Sequence, residues 1–327
     1  MEKMRAARYV EPGRIVCEQA PLPALSDGEV LVRVSLAAVC GSDLHVVYDD
    51  ISELPRPCPH GYPGHEGLGE VVQSKSPLFQ PGQKVLTCPA GAYMRCFADY
   101  VALPGAQCHE LPPYAGPPEH LLMAQQFGTT LFALRQMPVD VVGRTVMVMG
   151  QGSAGNFFAY SLKRAGAGQV IVSDKSEARL AAAKVFGADV ALKADPAAVK
   201  EAVMERTNGK GVDYLVEAVG RSDAFLQAVD LVGENGRMLW FGLPDTRQPI
   251  PFNFHDFFRK KLSVYSTYGA QLEPDSASFR TALNWIARKE IDVTRMVTHR
   301  LPIEQIGRAL SIAHERTDGA LKVAVTF

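Results

Sequence analysis

Apolar positions run through this chain in two rhythms. Over about the first 120 residues the apolar stretches are short, β-rich and interrupted by Pro and Gly, as at residues 30–36, 69–72, 84–87 and 100–103. Segments of that kind, bounded by turn formers, predict a compact barrel-like β domain whose loops carry the chemistry. From about residue 140, apolar strands alternate with helical stretches. Residues 145–149, 169–174, 212–219, 237–242 and 263–266 read as strands, and 177–186 as a helix stopped by Gly187. The alternation predicts a doubly wound parallel sheet. The closing segment from Leu321 to Phe327 alternates in strand fashion and is expected to return to the first domain. The predicted fold is α/β: a β domain over residues 1–120, completed by 290–327, plus a Rossmann-type parallel-sheet domain over 121–289.

The strand at 145–149 is apolar throughout after Thr145, as a strand buried on both faces must be. It runs into Gly150-Gln-Gly-Ser-Ala-Gly155. Gly150 permits a sharp turn, Gly152 lets a pyrophosphate approach the main chain, and Gly155 lets the following helix pack on the strand. The phosphates would rest on the free N–H groups at that helix start, around Ser153 and Ala154. The helix has a coherent face in Phe157, Tyr160, Ser161 and Leu162 and a stop at Gly166. Glycines alone are weak evidence. Here Asp174 ends the next apolar run, 24 residues beyond Gly150. A carboxylate there accepts hydrogen bonds from the adenosine ribose and repels a 2′-phosphate, so the unit predicts a site for NAD rather than NADP.

At 327 residues the chain has room for two domains, and its 47% apolar content is that of an ordinary soluble protein. A net charge of −1 points to no polyanion, so no nucleic-acid partner is expected. The opening MEKMRAARYV has no apolar signal core, and no run approaches the ~20 apolar residues of a membrane span. A cytoplasmic protein with no membrane partner is expected. Cysteines at 17, 40, 58, 88, 96 and 108 include no CxxC pair, which argues against a disulfide framework and a four-cysteine zinc knuckle.

Two motifs carry candidate metal chemistry: Cys40-Gly-Ser-Asp-Leu-His45 and Gly64-His-Glu-Gly-Leu-Gly-Glu70. A thiolate and an imidazole supply two zinc ligands, and a catalytic zinc needs a third plus one open position. A lone Cys or His is more often structural, but Gly64 and Gly67 around His65 suit a backbone in a tight turn. In their order and spacing, CGSDLH, GHEGLGEV, GQGSAG and Asp174 resemble the medium-chain dehydrogenase/reductase superfamily, in particular its zinc-dependent alcohol and polyol dehydrogenases. The resemblance spans essentially the whole chain.

That resemblance implies a GroES-like first domain and a catalytic zinc on Cys40 and His65, with Glu66 beside the metal or transiently joining it. It implies that Ser42 touches the substrate oxygen, Asp43 orients His65, and His45 passes the proton toward solvent. Thr129 and the Phe241-Gly242-Leu243 turn would flank the nicotinamide, Arg179 would approach the adenosine ribose, and Lys322 would lie near the pyrophosphate. For Arg179 and Lys322 a solvated surface charge is the competing assignment. The run 261–268 would be an exposed sheet edge, which relatives pair across a dimer, so a homodimer is expected, with a homotetramer as the other option.

Two departures qualify the resemblance. Relatives place a Cys, Asp or Glu as third zinc ligand where this chain has Gln125, a neutral amide. Either Gln125 coordinates, or Glu66 supplies the anionic ligand, or the site is metal-poor and side chains carry the catalysis. The stretch 87–100, where relatives often hold a four-cysteine loop, keeps only Cys88 and Cys96, so no structural zinc is expected. Cys58 and His60 read as loop residues near the cleft. The expected activity is NAD-dependent interconversion of a secondary alcohol or polyol and its ketone, assisted by one catalytic zinc. The active site is expected in the cleft between domains, at the carboxyl ends of the sheet strands. The alternatives are a zinc-independent reductase of the same superfamily and a nucleotide-binding sensor without turnover.

Overall fold

A computed structural model describes residues 3–52 and 54–327. The chain divides into two units, Met1–Thr129 with Gln271–Phe327, and Thr130–Ala270. In the first, β1 (Lys3–Glu11) and β2 (Arg14–Pro21) form an antiparallel hairpin. Then come β3 (Glu29–Ala38), α1 (Gly41–Tyr48), β4 (Gly67–Ser74), β5 (Lys84–Thr87), β6 (Tyr100–Pro104), β7 (Cys108–Glu110) and α2 (Pro118–Gln136). In the central strand β3 the residues from Glu29 to Val32 are buried on both faces, and beyond them Val34 is buried between exposed Arg33 and Ser35. Each buried valine contributes about 2 kcal/mol relative to exposure.

The second unit contains β8 (Thr145–Met149), α3 (Ser153–Arg164), β9 (Gln169–Asp174), α4 (Glu177–Val185), β10 (Val190–Lys193) and α5 (Pro196–Arg206). It continues through β11 (Val212–Glu217), α6 (Ser222–Leu231), β12 (Val232–Trp240), α7 (Phe254–Arg259) and β13 (Ser263–Ser266). Its six parallel strands run in the order β10-β9-β8-β11-β12-β13, the doubly wound arrangement expected. The chain order reverses between β8 and β11. The strand expected at 212–219 ends at Glu217, because Gly220 turns away at φ +82°. β12 begins five residues earlier than the apolar run suggested, carrying Asn235 at φ +60° within it.

The chain then returns to the first unit through α8 (Ala277–Ala287), β14 (Val297–Pro302), α9 (Ile306–Glu315) and β15 (Lys322–Thr326). β15 pairs antiparallel with β3 and parallel with β14, in a sheet ordered β14-β15-β3-β4-β5-β7, with β6 also on β3. The crossings between units fall at Thr129 and Ala270 rather than near 120 and 289. α2 and α8 share packing in the first unit: Phe127 lies 5.8 Å from Trp285, and a Cβ on Gly128 would stand 2.4 Å from the Phe279 ring.

Candidate active site

The start of α1 is set by Cys40, whose extended backbone places it at the helix N-cap. Its N–H donates to Asp43 Oδ2 at 2.8 Å. Asp43 is fully buried, and its Oδ1 lies 3.0 Å from His65 Nδ1, which also faces the Pro63 carbonyl at 3.2 Å. Nδ1 is thereby occupied, which leaves Nε2 as the nitrogen able to ligate a metal, with Ser42 Oγ at 3.3 Å from it. Burial opposes the imidazolium, but the Asp43 carboxylate and the Cys40 sulfur outweigh it and hold His65 well above its ordinary range. His45 lies one turn further on, its Nδ1 2.6 Å from Asp49 Oδ2 and its side chain 18% exposed.

Ligand atoms of Cys40, His65 and Glu66 lie within 4.8 Å of one another, a metal-competent group among the described residues. Thiolate, imidazole and carboxylate together form a donor set that zinc accepts. Glu66 has a second partner that the motifs did not disclose. Lys322 Nζ lies 2.7 and 2.6 Å from its two carboxylate oxygens and 3.2 Å from Gln126 Oε1. Neither Glu66 nor Lys322 has more than 1% of its side chain exposed.

Lys322 is therefore no solvated surface charge: its ammonium is buried and engaged by Glu66 and Gln126 within the first unit. The placement follows from the sheet. Val39 N–H donates to the Val323 carbonyl and Ala38 N–H to that of Glu66, so β3 brings the two chemistry-bearing segments together. Burial alone would lower the Lys322 pKa, but the Glu66 carboxylate overrides it and raises it. Gln125 is buried on α2, and its carbonyl accepts from the Thr129 hydroxyl at 3.0 Å, so that hydroxyl is spent within the helix.

Gly64 closes the turn from Gly61, its N–H donating to the Gly61 carbonyl at 3.2 Å, and both Gly64 and Gly67 also serve close packing. Neither has a positive φ, and a Cβ on Gly64 would stand 2.7 Å from the Phe97 main chain. They are required for close approach. Cys88 and Cys96 are buried thiols; burial pushes Cys96 up to about 12 despite the Thr87 hydroxyl 3.2 Å away. His60 is held by Glu18 at 2.8 Å, and Cys58 is buried.

In the second unit Gly150 takes φ +85° and Gly152 caps α3, whose first residues are Ser153, Ala154 and Gly155. A Cβ on Gly155 would stand 1.9 Å from the Gly150 carbonyl, so helix and loop meet in contact. A Cβ on Gly152 would meet only the Arg179 guanidinium, at 3.8 Å. The open space over the helix start fits a phosphate group, and the Arg179 guanidinium lies beside the loop. Asp174 accepts from Gln151 N–H at 2.7 Å and Ser176 N–H at 2.8 Å. Those bonds fix its carboxylate while leaving lone pairs for further donors. Phe241 turns its ring onto Phe158 at 4.8 Å, so that side chain is packed inside the second unit.

Comparison with known proteins agrees with this geometry. A family model described as alcohol dehydrogenase GroES-like domain matches residues 26–113, and one described as zinc-binding dehydrogenase matches residues 155–288. The chain belongs to the zinc-dependent medium-chain dehydrogenases/reductases. It is similar to an alcohol dehydrogenase from Cupriavidus necator, 27% identical over 98% of each chain. It is also similar to an L-threonine 3-dehydrogenase from Bacillus licheniformis, 28% identical over 92% of each chain. An alcohol dehydrogenase from Thermus sp. ATN1 superposes with a TM-score of 0.81, at 25% identity and 99% coverage of both chains.

Within this dehydrogenase family, the sequence motifs located the Cys40, His65 and Glu66 cluster. They missed the closure by Lys322 and Gln126. The available signal was a lysine inside the apolar run of β15, which demands a buried carboxylate partner.

Proposed function

We propose that this zinc-type dehydrogenase uses NAD to interconvert a secondary alcohol or polyol and its ketone, with one catalytic zinc on Cys40, His65 and Glu66. The observation that carries the reading is the convergence of those three ligand atoms within 4.8 Å. Glu66 is the better third ligand than Gln125, since it is anionic and already in the cluster. Zinc held there supplies Lewis acidity toward an alcohol oxygen, and the nicotinamide supplies the hydride acceptor. Asp43 fixes the His65 ring, and Lys322 holds the Glu66 carboxylate and balances its charge in the buried site. The Ser42 hydroxyl meets the substrate hydroxyl and moves its proton toward His45, which is part-exposed and oriented by Asp49.

The N–H groups at the start of α3 bind the pyrophosphate, and Arg179 adds positive charge there. Asp174, fixed by two backbone donors, binds the adenosine ribose and selects NAD over NADP. Thr129 and the turn from Phe241 to Leu243 contribute to the nicotinamide surroundings. Cys88 and Cys96 remain reduced thiols, with no structural zinc. A homodimer fits the edge position of β13 beside exposed Phe254 and Phe258, since unpaired edges and apolar patches call for cover. No described helix is long and apolar enough to cross a membrane. The unpaired cysteines suit the cytoplasm, where thiols stay reduced.

The test is an assay of the zinc-reconstituted protein on secondary alcohols and polyols, following reduced nicotinamide by absorbance. Turnover with NAD that disappears on chelation supports the reading. Saturable NAD binding without turnover of any alcohol or ketone would overturn it in favour of a sensor. Reduction of an activated double bond by metal-free protein would overturn it in favour of the zinc-independent reductase.

A further inference from the structure

We infer that Glu217 is a positioning residue whose buried carboxylate sets the preference of the second unit for oxidised over reduced nicotinamide nucleotide. The inference rests on the nucleotide site proposed above and extends it. Asp174 ends β9 and the glycine loop follows β8, on one side of the reversal in strand order. A dinucleotide with its ribose at Asp174 and its phosphates at α3 extends across that reversal. Its nicotinamide half then lies over the carboxyl ends of β11 and β12.

Glu217 is the last residue of β11 and is fully buried. Its Oε1 accepts from Val219 N–H at 2.7 Å and Gly220 N–H at 3.0 Å, which folds the loop after β11 back on the carboxylate. Its main-chain carbonyl accepts from Phe241 and Gly242 N–H at 2.9 and 3.0 Å, which ties down the turn after β12. Two glycines keep these parts in contact. A Cβ on Gly242 would stand 2.1 Å from Gly220 N and 2.7 Å from Glu217 Oε2, and one on Gly220 would stand 2.3 Å from the Leu243 carbonyl. One carboxylate thus lies under both backbone turns in the path of the nicotinamide half.

The ring carries a positive charge in NAD and none in NADH. A negative charge fixed beneath it in a poorly screened interior therefore stabilises the oxidised form selectively. The charged groups bearing on Glu217 are Asp223 at the start of α6 and Asp245 in the loop after β12, both acidic. The flanking glycine loop after β8 carries no titratable side chain. Burial pushes Glu217 up to about 7 against its two backbone donors, which puts its charge within reach of a pH change.

The experiment measures dissociation constants of NAD and NADH for the full-length protein at pH 6 and pH 8.5, for wild type, Glu217→Gln and Glu217→Asp. In wild type the ratio of the NADH to the NAD constant should be roughly tenfold higher at pH 8.5, the effect of one charge at partly screened distance. Glu217→Gln should show the low ratio at both pH values. Glu217→Asp keeps the charge on a shorter arm, so both affinities should fall while the pH dependence of the ratio persists. A wild-type ratio that is flat with pH, or a Glu217→Gln ratio matching wild type at pH 8.5, overturns the inference and leaves nucleotide binding standing. Failure of wild type to bind either nucleotide overturns the nucleotide site itself.

Discussion

Replacing Lys322 by Met removes the cationic partner of a carboxylate with no exposed side-chain surface, and leaves Gln126 Oε1 without that donor. Breaking a buried ion pair from one side costs about 3–5 kcal/mol, because the remaining charge stays desolvated and uncompensated. Losing the ammonium's hydrogen bond to Gln126 adds about 1.5–3 kcal/mol. Lys322→Met should therefore destabilise the first unit by several kcal/mol, as should Glu66→Gln, which strands the ammonium. The double variant should lose at least about 2 kcal/mol less than the sum of the two, since neither charge is left stranded. The chain has two tryptophans, Trp285 in the first unit and Trp240 in the second. In a Trp240→Phe background, fluorescence during urea unfolding follows the first unit alone. Chelator is present throughout, so that metal cannot replace Lys322 as the partner of Glu66. A loss below about 1 kcal/mol in Lys322→Met, or additivity in the double variant, would refute the reasoning.

Gly155→Ala forces a Cβ into the space 1.9 Å from the Gly150 carbonyl, and the loop must shift. Stability should fall by about 1–3 kcal/mol and NADH affinity by roughly tenfold or more, as read by fluorescence titration. His109, stacked on Phe279 in the first unit, is held down to about 4 by burial and then by Arg280. Its folded value lies below the unfolded one, so its contribution is complete above about pH 6.5 and is lost as pH falls toward 4. That loss amounts to about 3 kcal/mol, measurable as a falling urea midpoint that His109→Gln flattens. Glu217 runs the other way: its raised value makes the second unit most stable in acid, with about 3 kcal/mol lost as pH rises through 7. Asp174→Ser should cut the preference for NAD over NADP by at least about tenfold, compared as kcat/KM.

The second unit was legible in the sequence because its strands are buried on both faces and so appear as unbroken apolar runs, as at Val146–Met149. The register of motifs along the chain located Cys40, His65 and Asp174 as well. What stayed hidden depends on pairing across long separations. Lys322 and Glu66 are 256 residues apart and meet only because β15 docks on β3. The unit boundary inside α2 was hidden for the same reason, since it is set by the contacts of Phe127 and Gly128 with α8 and not by any local break in the helix pattern. The second role of Gly64 was hidden because close approach to Phe97 and a sharp turn leave the same residue in the sequence.

The most direct test of the zinc site is the metal content of purified, reconstituted and washed full-length protein, measured as zinc per chain for wild type, Cys40→Ser, Glu66→Gln and Gln125→Glu. About one zinc in wild type, lost in Cys40→Ser and in Glu66→Gln, is the result expected of a three-ligand site on Cys40, His65 and Glu66. Zinc retained in full by Glu66→Gln, or absent from wild type and present only in Gln125→Glu, would contradict it.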